Sequence, residues 1–453
     1  MTGSEASISE ILARLVAVTS FDDVAAHAHE GKRSILNFLA TALGSSADPA
    51  VAMAMATLAP LGGSPACSVI GRDERLDLLG AAFVNAVSAN LLDFDDTHLE
   101  TIIHPAAPVA AAALALAETH GCSGRDVLTA FILGVDVECR IGSAVSPGHY
   151  ARGWHITSTC GVFGAAAASG KLLGLPAEKI THALGIAASQ SAGLVENLPS
   201  AAKNVSVGNA ARNGIFAALL AQNGYEAAPR SIEGPLGWAR AMGDVLDLER
   251  LIRGLGRGWE IAANTYKPYP AGIVFHSVID GCLKLRTRLA IDAVETVTVS
   301  GSPLLLARGD REVRNERDAR VSIHHCAAVA LLIGAAGVSE FSQDAVFRPD
   351  IVAFRKKVRA ELDLALPDGA SRVIIRLKSG EEFGETVVAA RGSLSDPLSD
   401  ADLEAKLRAG LRQSGSPWDG ECIIAAVWRL DELADMSSLL RHPRPAVAAR
   451  GAR

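Results

Sequence analysis

The sequence predicts a mainly α-helical protein, in which a large all-α domain is followed by a smaller α+β domain. From Ile8 to about Arg257 the apolar residues recur at helical spacing, and alternation of β-branched residues is scarce. After Pro270 several stretches alternate as β-strands do. The chain has 453 residues, which exceeds the roughly 250–300 residues that one hydrophobic core usually supports. Two domains are therefore expected.

Composition excludes several classes of protein. The chain is 49% apolar and 21% charged, which is ordinary for a globular protein, and its 5% aromatic content favours tightly packed helices. A net charge of -7 without a basic block argues against a nucleic-acid partner. Apolar runs stay below the ~18 residues of a membrane span, so we expect no membrane partner. The seven scattered cysteines lack a C-x-x-C pair, and the first residues lack a signal-type apolar core. These features predict a cytoplasmic protein.

Helix signals are clear in the first half of the chain. Residues 78–92 are rich in alanine and read as a helix that carries a few polar side chains, including Asn85 and Asn90. Residues 161–174 form a helix so rich in small residues that its neighbours can pack close to its backbone. Gly174 ends this helix, and Pro176 begins the next one.

The second half mixes strands with helices. We predict a strand at residues 294–299 and two strands joined by a Ser379-Gly380 turn at residues 371–390. We predict helical segments at residues 322–332, 351–358 and 422–440, and a helix that starts with a capping box at residues 399–411. The Pro/Ala/Arg tail that follows is expected to fray. We place the smaller domain at residues 267–404 and the large helical domain at residues 1–266 and 405–453.

One stretch, LLDFDDTHLETIIHP at residues 91–105, concentrates acids and histidines. Its D-x-D-x-T pattern is that of an aspartyl phosphatase, but such a motif follows a buried strand, and the upstream residues here read as a helix. A calcium loop would need a glycine and a glutamate that are missing here. A solvent-exposed acidic loop remains open. Four side chains could bind a metal, but no spacing demands one and we predict no metal site: Asp93, Asp96, His98 and His104.

Four other segments carry reactive side chains. His155, Thr157 and Thr159 stand at a predicted helix start, where N–H groups and partial positive charge suit a carboxylate. Lys203 precedes a small-residue helix, and Lys267 lies in a proline loop. His324 and His325 are adjacent histidines at another predicted helix start. Adjacent histidines point about 100° apart on a helix, which keeps them from sharing one metal. Each segment taken singly is more often structural than catalytic.

Together and in this order, these segments resemble the MmgE/PrpD family. The family's hallmarks are D-F-D-D-T-H with a following H-P, G-[FW]-H-x-T-x-T, a lysine before a glycine-containing helix start, and K-P-Y-P with a histidine nine residues on. They stand here at residues 92–98, 104–105, 153–159, 203–208 and 267–276. The resemblance covers nearly the full chain. It implies a large helical domain, a smaller α+β lid domain, a homodimer, and cofactor-free chemistry on small di- or tricarboxylates.

The resemblance also implies a set of site residues. We predict as catalytic Asp93, His104, His155, Lys203 and Lys267, and as substrate-binding Thr97, Thr157, Thr159, Tyr269, His276 and His325. The residue types suit the chemistry, because lysines neutralise carboxylates and stabilise a carbanion beside them. Histidine titrates near neutral pH and can transfer the proton.

Two departures from the family pattern bear on the reaction. Ser206 stands where many relatives have a histidine, and His325 stands where a pocket tyrosine would fall. The K-P-Y-P-x-G-I-V-x-H and S-I-H-H variants look closest to the iminodisuccinate epimerase branch, which is our first expectation. A 2-methylcitrate dehydratase type of hydro-lyase comes second, and a cis-aconitate type of decarboxylase third. A helical scaffold protein with a decayed site is a different class, which the retained reactive residues argue against.

Overall fold

The computed structural model describes residues 7–441. The chain divides into two compact units. The first, here called the helical unit, comprises Met1–Leu91, Asp95–Asn264 and Asp400–Arg453, and the second, the α+β unit, comprises Leu92–Phe94 and Thr265–Ser399. Within the described residues, no helix is both long and apolar enough to span a membrane. The predicted frayed tail after residue 441 lies outside the described residues.

The helical unit is built almost entirely from α-helices. In chain-order numbering they are α1 (Ile8–Val18), α2 (Phe21–Val24), α3 (Ala28–Gly44), α4 (Pro49–Leu58), α5 (Leu78–Asn90), α6 (Ala106–His120), α7 (Gly124–Val145), α8 (Gly148–Ala151), α9 (Ile156–Leu172), α10 (Ala177–Ala188), α11 (Ala202–Gln222), α12 (Trp238–Met242), α13 (Leu248–Ile252), α20 (Asp400–Ser414), α21 (Gly420–Trp428) and α22 (Ser437–Arg441). The short strands β1 (Cys67–Ser68) and β2 (Arg75–Leu76) pair antiparallel. A third short strand, β3 (Asp96–His98), follows α5, and β4 (Asn264–Tyr266) stands where the chain passes into the other unit.

Small residues let α9 lie against its neighbours nearly backbone to backbone. A Cβ atom placed on Gly164 would lie 2.8 Å from the Gly134 carbonyl oxygen, and one on Gly134 would lie 2.7 Å from that of Gly164. Helices α7 and α9 therefore touch where only glycine fits. This bears out the packing that the small residues of 161–174 predict. The predicted boundary is also confirmed: Gly174 has φ +62° after α9, and Pro176 is the N-cap of α10.

The α+β unit packs helices on a four-stranded sheet. Its helices are α14 (His276–Arg286), α15 (Pro303–Gly309), α16 (Glu316–Arg320), α17 (Ile323–Leu332), α18 (Gln343–Phe347) and α19 (Pro349–Arg355). Its strands are β5 (Val294–Gly301), β6 (Val358–Leu362), β7 (Ser371–Leu377) and β8 (Glu382–Val387), in the order β6-β5-β7-β8. Strands β5 and β6 are parallel, and the other pairs are antiparallel. Apolar side chains from α14, α17 and the sheet form its core.

Most element predictions for this half hold, with two corrections. Strand β5 and the β7–β8 hairpin are confirmed, and Gly380 in the turn has φ +88°. The predicted helix at 351–358 is wrong at its end, because α19 stops at Arg355 and Val358 opens β6, where it pairs with Val297 of β5. The predicted helix at 422–440 is likewise broken, since α21 ends at Trp428 and α22 begins at Ser437.

Candidate active site

The acidic stretch after α5 is buried rather than solvated. Asp95, Asp96, Thr97 and His98 are each at most 2% exposed. The interpretation of this stretch as a solvent-exposed acidic loop is therefore wrong. Buried carboxyl and imidazole groups are stable only where the protein supplies partners for them, and each of these side chains has such partners.

His104 follows β3 with its Nδ1 atom surrounded by acceptors. Nδ1 lies 2.6 Å from the backbone oxygen of Asp96, 3.2 Å from Thr97 Oγ1 and 3.4 Å from Asp95 Oδ1. A carbonyl oxygen can only accept, so Nδ1 must carry a proton and donate it to Asp96. In the neutral ring, Nε2 is then the basic nitrogen. The local fold thus selects which nitrogen of His104 can exchange a proton.

Asp96 holds the chain on both sides of His104. Its backbone oxygen accepts from the His104 ring, and its carboxylate accepts from Asn264 Nδ2 at 2.7 Å, Ser34 Oγ at 3.1 Å and Ala106 N at 3.2 Å. Burial raises the pKa of Asp96 from its ordinary value near 3.8 to about 7, although the bonds from Asn264 and Ser34 oppose this rise. Asp96 is therefore a structural carboxyl group that fixes the start of α6.

His98 and Asp96 were two of four side chains that could have bound a metal. His98 Nε2 lies 3.1 Å from Glu260 Oε2, and His98 Nδ1 lies 2.8 Å from Thr101 Oγ1. The His98 contact lowers the pKa of Glu260. Both ring nitrogens of His98, like the carboxylate of Asp96, are thus bonded to protein groups, which assigns these two residues to the support of the 98–104 loop.

His155 is the N-cap residue of α9, and two serine hydroxyls face its Nδ1 atom. Ser158 Oγ lies 3.2 Å from Nδ1 and donates to the His155 backbone oxygen at 2.9 Å. Ser206 Oγ lies 3.4 Å from Nδ1 and donates to the Lys203 backbone oxygen at 2.7 Å. Because both hydroxyl protons bond to carbonyl groups, both oxygens present lone pairs to Nδ1. Nδ1 is therefore protonated, and Nε2 of His155 is the basic nitrogen.

The two threonines after His155 are buried in the first turns of α9. Thr157 Oγ1 accepts from the backbone N–H of His104 at 3.2 Å, so Thr157 joins His104 to α9. Thr159 Oγ1 donates to His149 Nε2 at 2.7 Å, and burial lowers the pKa of His149 to about 4, which keeps that ring neutral. Both were predicted to bind substrate, and the structure shows each bonding to a histidine. Direct substrate contact by either stays a prediction.

Lys203 lies in the first turn of α11. Lys203 is 8% exposed. Ser206, one helical turn later, contacts His155. A nearly buried ammonium group at this position gives the helical unit a fixed positive charge on the same turn that positions His155. The helical unit thus contains six of the predicted residues, and His104 contacts two of them, Thr97 and Thr157. The six are Thr97, His104, His155, Thr157, Thr159 and Lys203.

The α+β unit contains the other predicted cation. Lys267 Nζ donates to Asp93 Oδ1 at 2.9 Å and to the Asp93 backbone oxygen at 3.2 Å. The Lys267 side chain is 2% exposed and that of Asp93 is 23% exposed. Asp93 has φ +54°, a left-handed conformation that aspartate tolerates better than most residues. In this conformation the backbone oxygen and Oδ1 of Asp93 both face the ammonium group of Lys267.

Three further predicted residues of the α+β unit bond to its own groups. Tyr269 Oη donates to Asp280 at 2.6 Å, and burial, aided by Asp280, raises the pKa of Tyr269. His276 Nε2 donates to the Ala271 oxygen at 3.1 Å and packs edge-on against Tyr269. His325 Nε2 donates to a backbone oxygen at 2.8 Å, and burial lowers its pKa to about 4. A neutral His325 offers no positive charge to a carboxylate, so substrate binding by these residues stays a prediction.

Sequence reasoning passed over the side chains that set these histidines. Asn90 and Asn204 are buried amides near His104, and Ser158 faces His155. The available signal was weak: polar residues at the end of an otherwise apolar helix at 78–92 and a serine inside a helix start. The role of such residues depends on contacts with residues elsewhere in the chain, and a local sequence pattern does not show those contacts.

Basic imidazole nitrogens and a buried lysine beside helix starts are the kinds of group that suit acid–base chemistry on an anionic molecule. The chain belongs to the MmgE/PrpD family: the model of the MmgE/PrpD N-terminal domain matches residues 10–250, and that of the MmgE/PrpD C-terminal domain matches residues 269–432. The family expected from the motifs is confirmed. So is the mainly α fold with a smaller α+β part.

Named relatives of this chain are decarboxylases. It is 31% identical to the cis-aconitate decarboxylase of Homo sapiens over 400 residues, which cover 82% of this chain and 81% of the relative. It is 29% identical to the cis-aconitate decarboxylase of Aspergillus terreus over 420 residues, 83% of each chain. A cis-aconitate decarboxylase-like protein of Aspergillus oryzae is 28% identical over 415 residues, 83% of this chain and 84% of the relative. These similarities favour the third expected reaction and lend no support to iminodisuccinate epimerase.

Proposed function

We propose that the protein is a lyase that removes CO2 from a small unsaturated tricarboxylate of the cis-aconitate type. The observation that carries this proposal is the pair His104 and His155, each with Nδ1 held by acceptors and Nε2 left as the basic nitrogen. The similarity to decarboxylases over more than four fifths of both chains supports the choice of reaction. We further propose that the reaction needs no cofactor and takes place in the cytoplasm.

The proposed step breaks one carbon–carbon bond. The bond to the departing carboxylate breaks and CO2 leaves, while the electron pair delocalises into the neighbouring double bond and carboxylate. The resulting carbanion takes a proton from an imidazolium Nε2, and solvent reprotonates the histidine. Lys203 neutralises a remaining substrate carboxylate, which stabilises the negative charge as it develops.

A second candidate is the iminodisuccinate epimerase, which the motif variants placed first. Ser206 is the specific observation in its favour, because this serine contacts His155 where many relatives of other activities would place a second imidazole. A single imidazole at that position leaves fewer acids available to expel a leaving group. Both candidates share proton transfer at carbon and differ in whether a carbon–carbon bond breaks.

The test is proton NMR in heavy water with separate samples of cis-aconitate, 2-methylcitrate and iminodisuccinate. We expect a decarboxylated product from cis-aconitate and CO2 release of equal amount. His104→Asn and His155→Asn should each lower kcat by about 10²–10⁴-fold, the contribution of positioned proton transfer. His120→Asn, at the far end of α6, is the control and should keep wild-type kcat. Epimerised product without CO2, dehydrated product, or no reaction would each refute the proposal.

We also propose that the protein is a homodimer, as the family resemblance implies. The helical unit exposes large apolar side chains on α4 and α11: Met53 is 63% exposed and Phe216 is 43% exposed. Such side chains often mark contact surfaces. Sedimentation velocity should give twice the chain mass of 47.1 kDa, and Met53→Glu with Phe216→Arg should shift the protein towards monomer. A wild-type protein that sediments as a monomer would contradict this.

A further inference from the structure

A chain of buried side chains connects α11 to His104 through α5. We propose that Asn90 and Asn204, acting through Asp95, are positioning residues that hold His104 in its proton-donating state. Asn204 Nδ2 donates to Asn90 Oδ1 at 3.0 Å, Asn90 Nδ2 donates to Asp95 Oδ2, and Asp95 Oδ1 lies 3.4 Å from His104 Nδ1. The expected effect on kcat rests on the proposed function, and the expected effect on the protonation of His104 does not.

All the hydrogen bonds in this chain point towards Asp95. Each asparagine gives an N–H to the next residue, and within the described residues no protein group donates to Asn204 Oδ1. A side-chain amide does not release a proton near neutral pH, so the chain cannot carry a proton to Asp95. Its effect is to hold the Asp95 carboxylate in place beside His104 by hydrogen bonds. The three side chains are at most 2% exposed, so water does not replace these bonds readily.

The Asp95 carboxylate, held in this position, acts on His104 in two ways. It faces the Nδ1–H group, which favours the tautomer that leaves Nε2 basic, and its negative charge favours the protonated ring. The proposed reaction needs an imidazolium that gives its proton to the carbanion. The chain begins on the helix turn that also contains Lys203, so the residue that would bind a substrate carboxylate and the residue that would donate the proton are held by connected elements.

The same helix provides a matched control. Asn85 lies five residues before Asn90 on α5, is 3% exposed, and bonds to backbone groups: Ile70 N donates to its Oδ1 at 2.9 Å, and its Nδ2 donates to Ser68 O at 3.0 Å. Loss of Asn85 should therefore lower stability, as loss of any buried amide does. It should leave His104 unchanged, because none of its hydrogen bonds reaches Asp95.

The experiment follows the His104 ring directly by NMR in protein labelled with ¹³C-histidine, with the His104 signal assigned by its loss in His104→Asn. In Asn90→Leu, the Asp95 carboxylate loses the donor that holds it beside His104 Nδ1, so the His104 titration midpoint should fall by about one pH unit. We expect kcat on cis-aconitate to fall at least about tenfold, part of the roughly 10²–10⁴-fold of proton transfer, with KM nearly unchanged. Asn85→Leu should change neither quantity.

An isosteric variant gives a signature that structural damage does not imitate. In Asn90→Asp, the new carboxyl group still accepts from Asn204 and, when protonated, donates to Asp95. Two facing carboxyl groups share one proton, and this proton is lost as the pH rises. Activity should therefore approach wild type at acid pH. It should fall off at a higher pH than in the wild type, because the added negative charge favours the protonated His104 ring. Asn204→Leu should shift the His104 midpoint in the same direction as Asn90→Leu, and the double variant should shift it no further.

Three outcomes would overturn the inference. One is an unchanged His104 midpoint in folded Asn90→Leu, and another is an Asn85→Leu variant with the same shift as Asn90→Leu. If Asn90→Leu does not fold, an Asn90→Asp profile with the pH dependence of wild type is decisive against it. The NMR titration needs no substrate, so a failure of the cis-aconitate assay would refute the proposed function while the His104 shifts still test the chain.

Discussion

Gly193 offers a sharp test of the arrangement around His155, because its α-hydrogens face the two serine hydroxyls. A Cβ atom at this position would lie 2.0 Å from Ser158 Oγ and 3.1 Å from Ser206 Oγ, and Gly193 has φ +141°. The Gly193 oxygen also accepts from the backbone N–H of His155 at 3.1 Å. Gly193→Ala should therefore displace Ser158 and, with it, the hydrogen-bond acceptors that fix the tautomer of His155.

The magnitude follows from two contributions. An alanine forced into this backbone conformation costs about 1–3 kcal/mol. Displacement of Ser158 removes its 2.9 Å bond to the His155 oxygen, worth about 1 kcal/mol. We expect Gly193→Ala to lower the free energy of unfolding by about 2–4 kcal/mol. The kcat for decarboxylation should fall at least about tenfold, because His155 loses its preferred tautomer.

Gly224→Ala separates the clash from the backbone strain. Gly224 has φ +92°, and no atom of the described residues lies within 4 Å of a Cβ atom placed there. This variant should lose stability through strain and keep the kcat of wild type. Urea unfolding and steady-state CO2 release, measured on both variants, check the two quantities. A folded Gly193→Ala with wild-type kcat would refute the assignment of Ser158 and His155 to the reaction.

Three further predictions concern buried charge. Because burial raises the pKa of Asp96 to about 7, the native state binds this proton more tightly than the unfolded chain, and the stability gained below pH 4 is lost as the pH rises to 7. The loss is about 4 kcal/mol, so urea unfolding of Asp96→Asn should show a flatter dependence between pH 4 and 7; an equally steep one would contradict this. Burial also raises the pKa of Glu138 well above its ordinary range, and within the described residues no protein group bonds its carboxyl oxygens. Glu138→Met should therefore raise the free energy of unfolding at pH 8 by about 1–3 kcal/mol, and a loss of stability would show that Glu138 has a partner. Finally, Asp93→Ala should destabilise more than Lys267→Met, because it removes a carboxylate partner of the more deeply buried charge at a cost of about 3–5 kcal/mol; the reverse order in thermal unfolding would contradict this.

The helical half could be predicted because its information is local. Apolar spacing, small residues and the Gly174/Pro176 boundary all act within one or two helical turns, and the helices are found where these patterns place them. Strand β6 was missed for the opposite reason. Its five residues include two charged ones, and they form a strand because Val358 and its neighbours pair with β5 about 60 residues earlier. Local preference did not decide the structure there.

The three aspartates of D-F-D-D-T show where sequence reasoning stopped at the site. The local pattern alone does not separate them, and the structure gives each a different role through its partners. Asp93 bonds to Lys267, 174 residues away, and Asp96 bonds to Asn264, 168 residues away. Asp95 bonds to Asn90, which lies at the end of the preceding helix. The motif draws attention to this stretch, but the three-dimensional contacts are needed to distinguish a charge partner for a lysine, a histidine partner and a support for α6.

His104 and His155 have the same tautomer for different reasons, and the difference bears on their roles. At His104 a carboxylate stands beside the Nδ1–H group, and a negative charge favours the protonated ring. At His155 two neutral hydroxyls accept from Nδ1, and they fix the tautomer without favouring the charged form to the same degree. Under the proposed function we therefore expect His104 to donate the proton to the carbanion and His155 to act as a neutral ring that binds or accepts. A histidine at the position of Ser206 would alter the second site and leave the first unchanged.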